Sequence, residues 1–382
     1  MTTNADVSGL RLFTGEPQYE NFARIHLAQS VKQMRPAERP FEFPTGPAIT
    51  LPQTYVVDGV SRDLRMLLDE THTSALLVLK DGAVRCEAYF LTGGRRVPWI
   101  SMSVAKSFIS ALVGIAQAEG LIGSLEDPIN QYASLLSGTA YDGVRIKDVL
   151  QMSSGARWRE AYTDPDAEIF RLSAALGPGG SFDEFMSTMV RETTPGTLCR
   201  YDSADTQALG LLLAGATGRS ITDYMQEKLF LPLGMESPGY WMIDSKGREM
   251  AFGGLLMTAR DFAKLGECYR NGGVWGGRQL VPTDYVAAST RADAPHLAPG
   301  MPLVGDHAFP MGYGYQWWLP PGDRGEFSAI GVYNQYVYVD PPRGVVIVKL
   351  SANPAYGTST EETVNKDYEN IWALRAISRQ FD

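Results

Sequence analysis

The chain has 382 residues, of which 44% are hydrophobic and 20% are charged, as is typical of a globular protein with a substantial core. Its net charge of −9, without any long run of Lys or Arg, argues against nucleic acid and an anionic membrane surface as partners. The length allows two or three domains, or one large α/β unit with an insertion.

The first residues, 1–6, contain neither a basic segment nor an apolar stretch, so they do not have the features of a signal peptide. No apolar run of the sequence reaches transmembrane length. Three widely spaced cysteines, Cys86, Cys199 and Cys268, fit a reducing compartment. We therefore expect a cytoplasmic protein, on the condition that Met1 is the native start.

The N-terminal segment 1–55 is rich in proline and polar residues, which predicts an extended arm lying over the fold. Segment 74–80 then predicts a strand, and Asp81-Gly82 predicts a hairpin turn that leads into a partner strand at 83–90. A buried helix is expected to begin near Ser103 and to end near residue 120, since apolar residues follow one another closely there.

The middle of the chain, from about 120 to 250, alternates short helical patterns with loops. The predicted helices of the middle part and of the segment after it are 146–152, 182–191, 204–216 and 261–271.

The C-terminal part returns to strands, at 326–331, 333–340 and 344–350, and ends in a helix at 361–380. Strands therefore lie at both ends of the chain with helices between them. This order predicts an α/β (α+β) fold, in which an antiparallel sheet built from both ends is flanked by helices. We expect the arm at 1–55, the α/β domain at 56–122 and 251–382, and an inserted, mostly helical domain at 123–250.

The histidines provide little for catalysis or for metal binding. His26, His72, His296 and His307 form no H-x-x-x-H pair, so the sequence contains no recognisable metal site. They also leave few candidates for a Ser-His-Asp triad, and no G-x-S-x-G elbow is present. The missing elbow argues against the α/β-hydrolase fold.

The segment Ser103-Val104-Ala105-Lys106 is the strongest chemical signal in the chain. Residues three apart share one face of a helix, so the serine hydroxyl and the lysine amine can lie within hydrogen-bond distance. Burial lowers the pKa of a lysine, and the neutral amine can then take the proton of a serine nucleophile. A helix start with a solvated lysine is the alternative interpretation, because a short motif of this kind also occurs by chance.

Two further segments accompany this motif, and together they resemble a known family. Tyr201-Asp202-Ser203 follows Pro195-Gly196, and Ala329-Ile330-Gly331-Val332 ends a predicted strand. The order and spacing of the three segments are similar to those of the penicillin-recognising serine hydrolases, which use S-x-x-K, Tyr-x-Asn and a K-T-G-like strand. The resemblance implies a β-lactamase/transpeptidase-like fold.

Longer phrases place the resemblance closest to the β-lactamase-like carboxylesterases and the nylon-oligomer (6-aminohexanoate-dimer) hydrolases. The similarity extends from about residue 70 to the C-terminus. The phrases that carry it are 146–155, 231–235, 253–261, 315–318 and 346–351.

The resemblance implies a role for each catalytic residue. Ser103 would be the nucleophile that becomes acylated, and Lys106 and Tyr201 would share the work of the general base. A nearby ammonium would lower the pKa of the Tyr201 phenol. The backbone N–H groups of Ser103 and Val332 would form the oxyanion hole. For Tyr201 the alternative is a packed aromatic side chain with a satisfied hydroxyl group.

The chain departs from the family pattern at two substrate-binding positions. The K-T-G position reads Ala329-Ile330-Gly331 and lacks the lysine that helps to hold a β-lactam carboxylate, which disfavours efficient β-lactam turnover. Ser203 replaces the asparagine of Tyr-x-Asn. The resemblance to esterases and nylon-oligomer hydrolases tolerates both changes, and it implies that Ser203, Ile330 and Gly331 border the substrate.

Five further positions concern the substrate. Tyr162 matches a tyrosine on the loop that closes over substrate in the nylon-oligomer hydrolases, where it would donate to the leaving group. Ser173 and Phe252 replace the polar or acidic residues that bind the charged end of the nylon dimer, which favours an ester or a neutral amide. Trp317 and Trp318 are expected in the acyl pocket, with a core position as the alternative for one of them.

The sequence thus predicts a serine hydrolase that acts through an acyl-enzyme on carboxylic esters, with linear amides left open. It implies no metal or organic cofactor, a small-molecule ester or amide as partner, and a homodimer as an open alternative to the monomer. The other functions considered are a nylon-oligomer-type amidase and a weak β-lactamase or DD-peptidase. A non-catalytic binding relative is the alternative of another class, and it would have lost Ser103, Lys106 or Tyr201.

Overall fold

A computed structural model of the protein describes residues 18–303 and 309–382. The α-helices in these residues are α1 (Tyr19–Ala28), α2 (Leu64–Glu70), α3 (Ala105–Ala118), α4 (Ile146–Leu150), α5 (Glu168–Ser173), α6 (Phe182–Met186), α7 (Ser203–Thr217), α8 (Ile221–Met225), α9 (Ala259–Arg270), α10 (Thr283–Ser289), α11 (Glu362–Asn365) and α12 (Asp367–Ser378). The strands are β1 (Val31–Met34), β2 (Thr54–Val57), β3 (Val60–Asp63), β4 (Thr73–Lys80), β5 (Ala83–Tyr89), β6 (Trp99–Ile100), β7 (Gly239–Met242), β8 (Leu255–Met257), β9 (Val274–Trp275), β10 (Arg278–Gln279), β11 (Gly312–Tyr313), β12 (Trp318–Leu319), β13 (Phe327–Gly331), β14 (Gln335–Asp340) and β15 (Val345–Ser351).

The largest sheet has seven antiparallel strands in the order β11-β12-β13-β14-β15-β4-β5. Strands from the N-terminal and C-terminal parts of the chain pair within it, and Ile347 of β15 lies opposite Val78 of β4. The hairpin between β4 and β5 turns at Asp81 and Gly82, both with left-handed backbone, as an Asp-Gly turn favours. The predicted antiparallel sheet built from both ends of the chain is therefore confirmed.

Both faces of the inner strands of this sheet are buried, which explains the continuous apolar runs 75–79 in β4 and 345–348 in β15. Leu77 and Leu79 of β4 face one core cluster, whereas Leu76 and Val78 face the other. Helix α9 packs on the first face, and helices α2 and α12 pack on the second. Each fully buried Leu or Val side chain contributes roughly 1.5–3 kcal/mol to the hydrophobic stabilisation.

A second sheet of four strands, in the order β1-β7-β8-β6, supports the segment that precedes Ser103. In its last pairing, Trp99 lies opposite Met257 and Ile100 lies opposite Leu256. Two short hairpins, β2-β3 and β9-β10, complete the strand pairing of the described residues. The four-stranded sheet thus fixes the chain immediately before the predicted nucleophile.

Two predicted elements differ in the structure. Segment 1–55 is not only an extended arm, because its described part contains α1 and β1. The side chain of Phe22 in α1 is buried and packs against Trp99 and Tyr333, with ring centroids 5.8 and 5.0 Å away. The predicted helix at 361–380 is interrupted at Lys366, whose left-handed φ of 58° separates α11 from α12.

The division into an α/β domain and an inserted helical domain stays a prediction. The expected insertion at 123–250 contains helices α4 to α8, and also strand β7, which belongs to the four-stranded sheet. Residues 1–17 of the predicted arm lie outside the described residues. Within the described part of the chain, no helix has both the length and the apolar character needed to cross a membrane.

Candidate active site

Ser103 lies in a tight turn between the four-stranded sheet and helix α3. Strand β6 ends at Ile100, and Met102 has a left-handed φ of 46°, which turns the chain sharply. A 3-10 turn over Met102–Val104 then leads directly into α3. The helix predicted after residue 103 is present, and this turn places the Ser103 side chain at the base of a cleft.

Lys106 lies one helical turn after Ser103 and is bound by three uncharged oxygens. Its Nζ lies 2.9 Å from Ser103 Oγ, 3.1 Å from Ser203 Oγ and 2.8 Å from the carbonyl oxygen of Phe252. The side chain is 1% exposed, and burial lowers the pKa of Lys106 to about 8. The nearby carboxylates of Glu160 and Asp202 act against this decrease. A substantial fraction of Lys106 is therefore neutral near physiological pH, as a general base requires.

Tyr201 lies beside the same serine. Its side chain is buried and shares a hydrogen bond with the side chain of Ser103. Its ring stacks on Trp318, with ring centroids 5.0 Å apart. The N-cap Asp202 of α7 accepts hydrogen bonds from Ala204 N and Asp205 N, which fixes the backbone next to Tyr201. The structure thus brings together the three predicted catalytic side chains.

The expected direction of the Tyr201 pKa is wrong. Burial and the carboxylate of Glu160 raise this pKa well above its usual value, while the hydrogen bond with Ser103 acts in the opposite direction. The ammonium of Lys106 lies 5.1 Å from the centroid of the Tyr201 ring, in a cation–π arrangement. The phenol therefore stays protonated near neutral pH, which makes Lys106 the better base of the two.

Glu160 is a site residue that the sequence did not reveal. Its carboxylate accepts hydrogen bonds from Ser203 Oγ at 2.8 Å, from Tyr162 Oη at 2.8 Å and from Trp158 Nε1 at 2.6 Å. Ser203 in turn lies next to Lys106, so a chain of hydrogen bonds connects the lysine to Glu160. The only available signal was the position of Glu160 two residues before Tyr162.

The cleft above Ser103 has a volume of about 450 Å³, including the space at its open mouth. Most of its lining is apolar or aromatic, with two carboxylates among the lining residues. The described residues that line it are Ser103, Glu160, Tyr162, Tyr201, Phe309, Met311, Trp318, Ile330, Gly331, Val332, Tyr356 and Asp367. Six of the expected substrate-binding or oxyanion-hole positions therefore border one space: Ser103, Tyr162, Trp318, Ile330, Gly331 and Val332.

Strand β13 ends against the turn Met102–Val104, which carries Ser103. A Cβ atom on Gly331 would lie 2.6 Å from the carbonyl oxygen of Ser101 and 3.0 Å from the backbone nitrogen of Ser103. Real Cβ atoms do not approach this closely, so only glycine fits. The peptide that joins Gly331 to Val332 is therefore adjacent to the Ser103 N–H.

Neither Trp317 nor Phe252 is among the described residues that line the cleft. Trp317 has the core position that was the alternative for one of the two tryptophans, whereas the expected position of Phe252 in the cleft is not found. Trp317 is fully buried and packs against Tyr269 and Phe327, at ring-centroid distances of 4.7 and 5.1 Å. Its neighbour Trp318 faces the cleft instead, since adjacent strand residues point to opposite sides. The Phe252 ring packs in the core, and the residue contributes its carbonyl oxygen to Lys106.

The two serines expected near the substrate, Ser173 and Ser203, do not line the open space of the cleft in the described residues. Ser173, at the end of α5, is not among the described lining residues of the cleft. Ser203 is buried and contacts Lys106 and Glu160, so it borders the catalytic groups more directly than the open space. In the described part of the chain, no group of three or more His, Cys, Asp or Glu side chains could hold a metal ion.

Comparisons with known proteins agree on the family. The family model described as Beta-lactamase matches residues 64–363. The 6-aminohexanoate-dimer hydrolase of Paenarthrobacter ureafaciens is 31% identical over 301 residues, which cover 76% of this chain and 76% of that protein.

Solved structures have the same fold. A Bacillus anthracis protein, provisionally described as a 6-aminohexanoate-dimer hydrolase, matches with a TM-score of 0.82 and 23% identity, over 96% of this chain and 95% of its own. A family VIII carboxylesterase matches with a TM-score of 0.60 and 14% identity, over 81% of this chain and 92% of its own.

The family match covers most of the chain and includes all three motif segments on which the resemblance was based. The seven-stranded sheet, helices α2 and α9 and the Ser-Lys-Tyr cluster lie in this matched region, and α12 follows it. The resemblance inferred from the motifs is confirmed: this chain belongs to the β-lactamase family and is a hydrolase of the β-lactamase fold.

Proposed function

We propose that this protein is a serine hydrolase that acts on carboxylic esters through an acyl-enzyme formed at Ser103. The observation that carries the proposal is the 2.9 Å contact between Lys106 Nζ and Ser103 Oγ at the base of the cleft. The lysine is held by uncharged oxygens, and its pKa is lowered to about 8, so the amine can accept a proton.

In the proposed first step, Lys106 takes the proton of Ser103 Oγ while this oxygen forms a bond to the ester carbonyl carbon. The carbonyl oxygen becomes an oxyanion, which the backbone N–H groups of Ser103 and Val332 would stabilise. When the tetrahedral intermediate collapses, the bond to the alcohol oxygen breaks and this oxygen takes up a proton. The products of the step are the free alcohol and an acyl group on Ser103.

Tyr201 would carry this proton to the leaving group. Its hydroxyl group is hydrogen-bonded to Ser103 and stays protonated, because burial and Glu160 raise its pKa. A neutral phenol can donate its own proton to the departing oxygen and recover one from the ammonium of Lys106. In the second step a water molecule gives a proton to Lys106 and attacks the acyl carbon. The bond from this carbon to Ser103 Oγ then breaks and Lys106 returns the proton to this oxygen, which releases the acid and regenerates Ser103.

The lining of the cleft supports an ester more than a β-lactam. Aromatic and aliphatic side chains, among them Phe309, Met311 and Trp318, offer an apolar surface for an acyl chain. No Lys or Arg occurs among the described residues of this lining, whereas a β-lactam carries a carboxylate that needs a cationic partner.

A linear amide is the second candidate, and one observation favours it. Tyr162 lines the cleft, and its hydroxyl group donates to Glu160 at 2.8 Å; by rotating away from this carboxylate it would donate to a leaving nitrogen. The relative from Paenarthrobacter ureafaciens is named for the hydrolysis of an amide dimer. The joint presence of Ser103, Lys106 and Tyr201 in contact argues against a non-catalytic binding role.

The first experiment compares the wild type with Ser103→Ala on p-nitrophenyl butyrate, the linear 6-aminohexanoate dimer and nitrocefin. Ser103→Ala should lower butyrate turnover by at least about a thousandfold, because loss of the nucleophile removes the covalent route. Ser107→Ala is the matched control, since this serine lies four residues further on, in the first turn of α3, but donates to the Gln316 carbonyl oxygen. Efficient dimer hydrolysis would favour the amidase, and activity that persists in Ser103→Ala would refute the mechanism.

A further inference from the structure

The turn between β13 and β14 has an unusual backbone. Tyr333 and Asn334 are consecutive non-glycine residues with left-handed φ angles of 64° and 69°. This conformation is unfavourable for a side chain as large as tyrosine, and it persists only where the surroundings enforce it. The same turn begins with Val332, the proposed second donor to the oxyanion.

The side chain of Gln335 makes hydrogen bonds beneath this turn. Its Nε2 lies 3.2 Å from the carbonyl oxygens of both Val332 and Tyr333, and 2.6 Å from that of Ser351. Its Oε1 accepts hydrogen bonds from Trp99 Nε1 and Ser351 N, both at 3.0 Å. Carbonyl oxygens surround one end of the amide and N–H groups the other, so its orientation is determined by its partners.

These partners belong to the elements that form the catalytic centre. Trp99 lies in β6, the strand that leads into the nucleophile turn, and Ser351 ends β15 in the central sheet. One buried amide thus connects the strand before Ser103 with the turn that carries Val332.

The direction of the Val332 N–H depends on the position of the turn between β13 and β14. The Gly331 backbone is so close to Ser103 that a Cβ atom on Gly331 would lie 3.0 Å from Ser103 N. The peptide group that carries the Val332 N–H is therefore close in space to the Ser103 N–H. A rotation of the turn would redirect the Val332 N–H while leaving the side chains of Ser103 and Lys106 in place. Oxyanion stabilisation depends on donors that are aimed before the reaction begins.

We propose that Gln335 is a positioning residue, which holds the turn so that the Val332 N–H points to the oxyanion formed at Ser103. This inference rests on the proposed function, because it assigns the support of that same site. Gln335 does not touch the substrate; it acts through the backbone of Val332 and Tyr333.

An outer group of amides supports the same turn. Asn353 Nδ2 donates to Asn334 Oδ1 at 3.0 Å, and Asn334 Nδ2 donates to the carbonyl oxygen of Asn365 at 2.8 Å. The turn is therefore also tied to the end of α11. Replacing Gln335 alone should shift the turn without unfolding it, which makes the proposal testable by kinetics.

The test uses Gln335→Glu in the full-length protein, because the carboxylate keeps the shape but cannot donate to the three carbonyl oxygens. The measurements are kcat and KM for p-nitrophenyl butyrate, and the inhibition constant of butylboronic acid, which forms a tetrahedral adduct with an active serine. We expect kcat to fall roughly tenfold to a hundredfold. This decrease is no larger than the decrease of about a hundredfold to a thousandfold in kcat that removal of one oxyanion donor causes. KM should change little, and the boronic acid should bind more weakly by a similar factor to kcat.

Gln207→Glu is the matched control. Gln207 is also a buried amide bonded to the main chain at both ends, but its partners are Glu249 O and Ala251 N. This variant should lose thermal stability without a selective loss of boronic acid binding. If Gln335→Glu does not fold, Trp99→Phe removes one donor to Gln335 Oε1 and should produce a smaller change in the same direction.

The outcomes separate this inference from the proposed function. If Ser103-dependent turnover and boronic acid affinity stay within about twofold of the wild type in a folded Gln335→Glu protein, the positioning role is refuted. Equal losses in Gln335→Glu and Gln207→Glu would also refute it, as they would indicate a general structural effect. If the wild-type activity survives Ser103→Ala, it is the proposed function that fails.

Discussion

At the scale of single residues, the environment of Lys106 determines how activity depends on pH. Burial lowers its pKa to about 8, so the fraction of neutral amine increases as the pH rises through that value. If Lys106 is the base, kcat/KM for p-nitrophenyl butyrate should increase with pH, reach half of its maximum near pH 8 and then level off. A pH–rate profile over the neutral and alkaline range checks this; a flat profile would contradict the assignment.

Glu160 should tune that profile. Its negative charge favours the ammonium form of Lys106 and raises the lysine pKa, against the larger effect of burial. In Glu160→Gln this attraction is removed, so the rising part of the profile should move to lower pH. Glu38→Gln makes the same charge change at an exposed position and should leave the profile unchanged. A shift to higher pH in Glu160→Gln would contradict the electrostatic explanation.

Gly331 should be sensitive to the smallest side chain. In Gly331→Ala the new Cβ would collide with Ser101 O and Ser103 N, so the strand end must move away from the nucleophile. A displacement of about 1 Å can lower a rate by about a hundredfold, and we expect a loss in kcat/KM of this size. Gly253→Ala is the comparison, because its Cβ would lie no closer than 3.5 Å to Met250 and Met102 and should alter activity little.

The sequence predicted the residues that belong to motifs and missed those that do not. Ser103, Lys106 and Tyr201 have fixed spacing within recognisable segments. Glu160 has no such pattern, and it reaches the site because the loop after α4 folds over α7. The direction of the Tyr201 pKa depends on burial and on which part of the ring the ammonium faces, and neither property can be read from a sequence.

At the scale of secondary-structure elements, long apolar runs were predictable and short strands were not. β4 and β15 appeared as runs of branched and aliphatic residues, and β5 followed from the Asp81-Gly82 turn signal after β4. β6 has only two residues, and it exists because β8 pairs with it. Helix α1 was missed because the proline-rich composition of its surroundings concealed the buried side chains of Phe22 and Ile25.

Helix α3 contains a glycine that should not tolerate alanine. A Cβ on Gly114 would lie 2.6 Å from the Tyr285 ring, whose hydroxyl group donates to the carbonyl oxygen of Ser110. Alanine gains up to about 1 kcal/mol in helix propensity, whereas overpacking costs about 1–3 kcal/mol. We therefore expect Gly114→Ala to lower the free energy of unfolding by about 1–2 kcal/mol, measured by urea denaturation.

A second substitution tests the cause of that loss. In Gly114→Ala combined with Tyr285→Leu, the ring that collides with the new Cβ is absent. The double variant should therefore be less destabilised than the sum of the two single variants, since neighbouring sites are not additive. Strict additivity would show that contact with Tyr285 is not the reason.

At the scale of the whole molecule, a buried group of charges attaches α12 to the central sheet. Arg375 of α12 donates to Glu326 through Nε at 2.5 Å, and Ser378 of the same helix donates to Asp340 at 2.8 Å. Arg324 donates to Asp340 from the other side, also at 2.8 Å. Because α12 begins with Asp367 in the cleft, the docking of this helix connects global stability with the shape of the site.

Removing one charge of this group should therefore lower the free energy of unfolding substantially. In Glu326→Gln, Arg375 stays 3% exposed without its counter-charge, and breaking a buried pair in this way typically costs about 3–5 kcal/mol. Asp69→Asn interrupts the exposed pair with Arg65 and should change stability by less than about 1 kcal/mol. Urea denaturation of both variants, followed by ester turnover below the transition, measures the two consequences. Equal stability losses in both variants would mean that the buried charges do not attach α12, whereas a loss confined to Glu326→Gln with reduced turnover would connect this helix to the cleft.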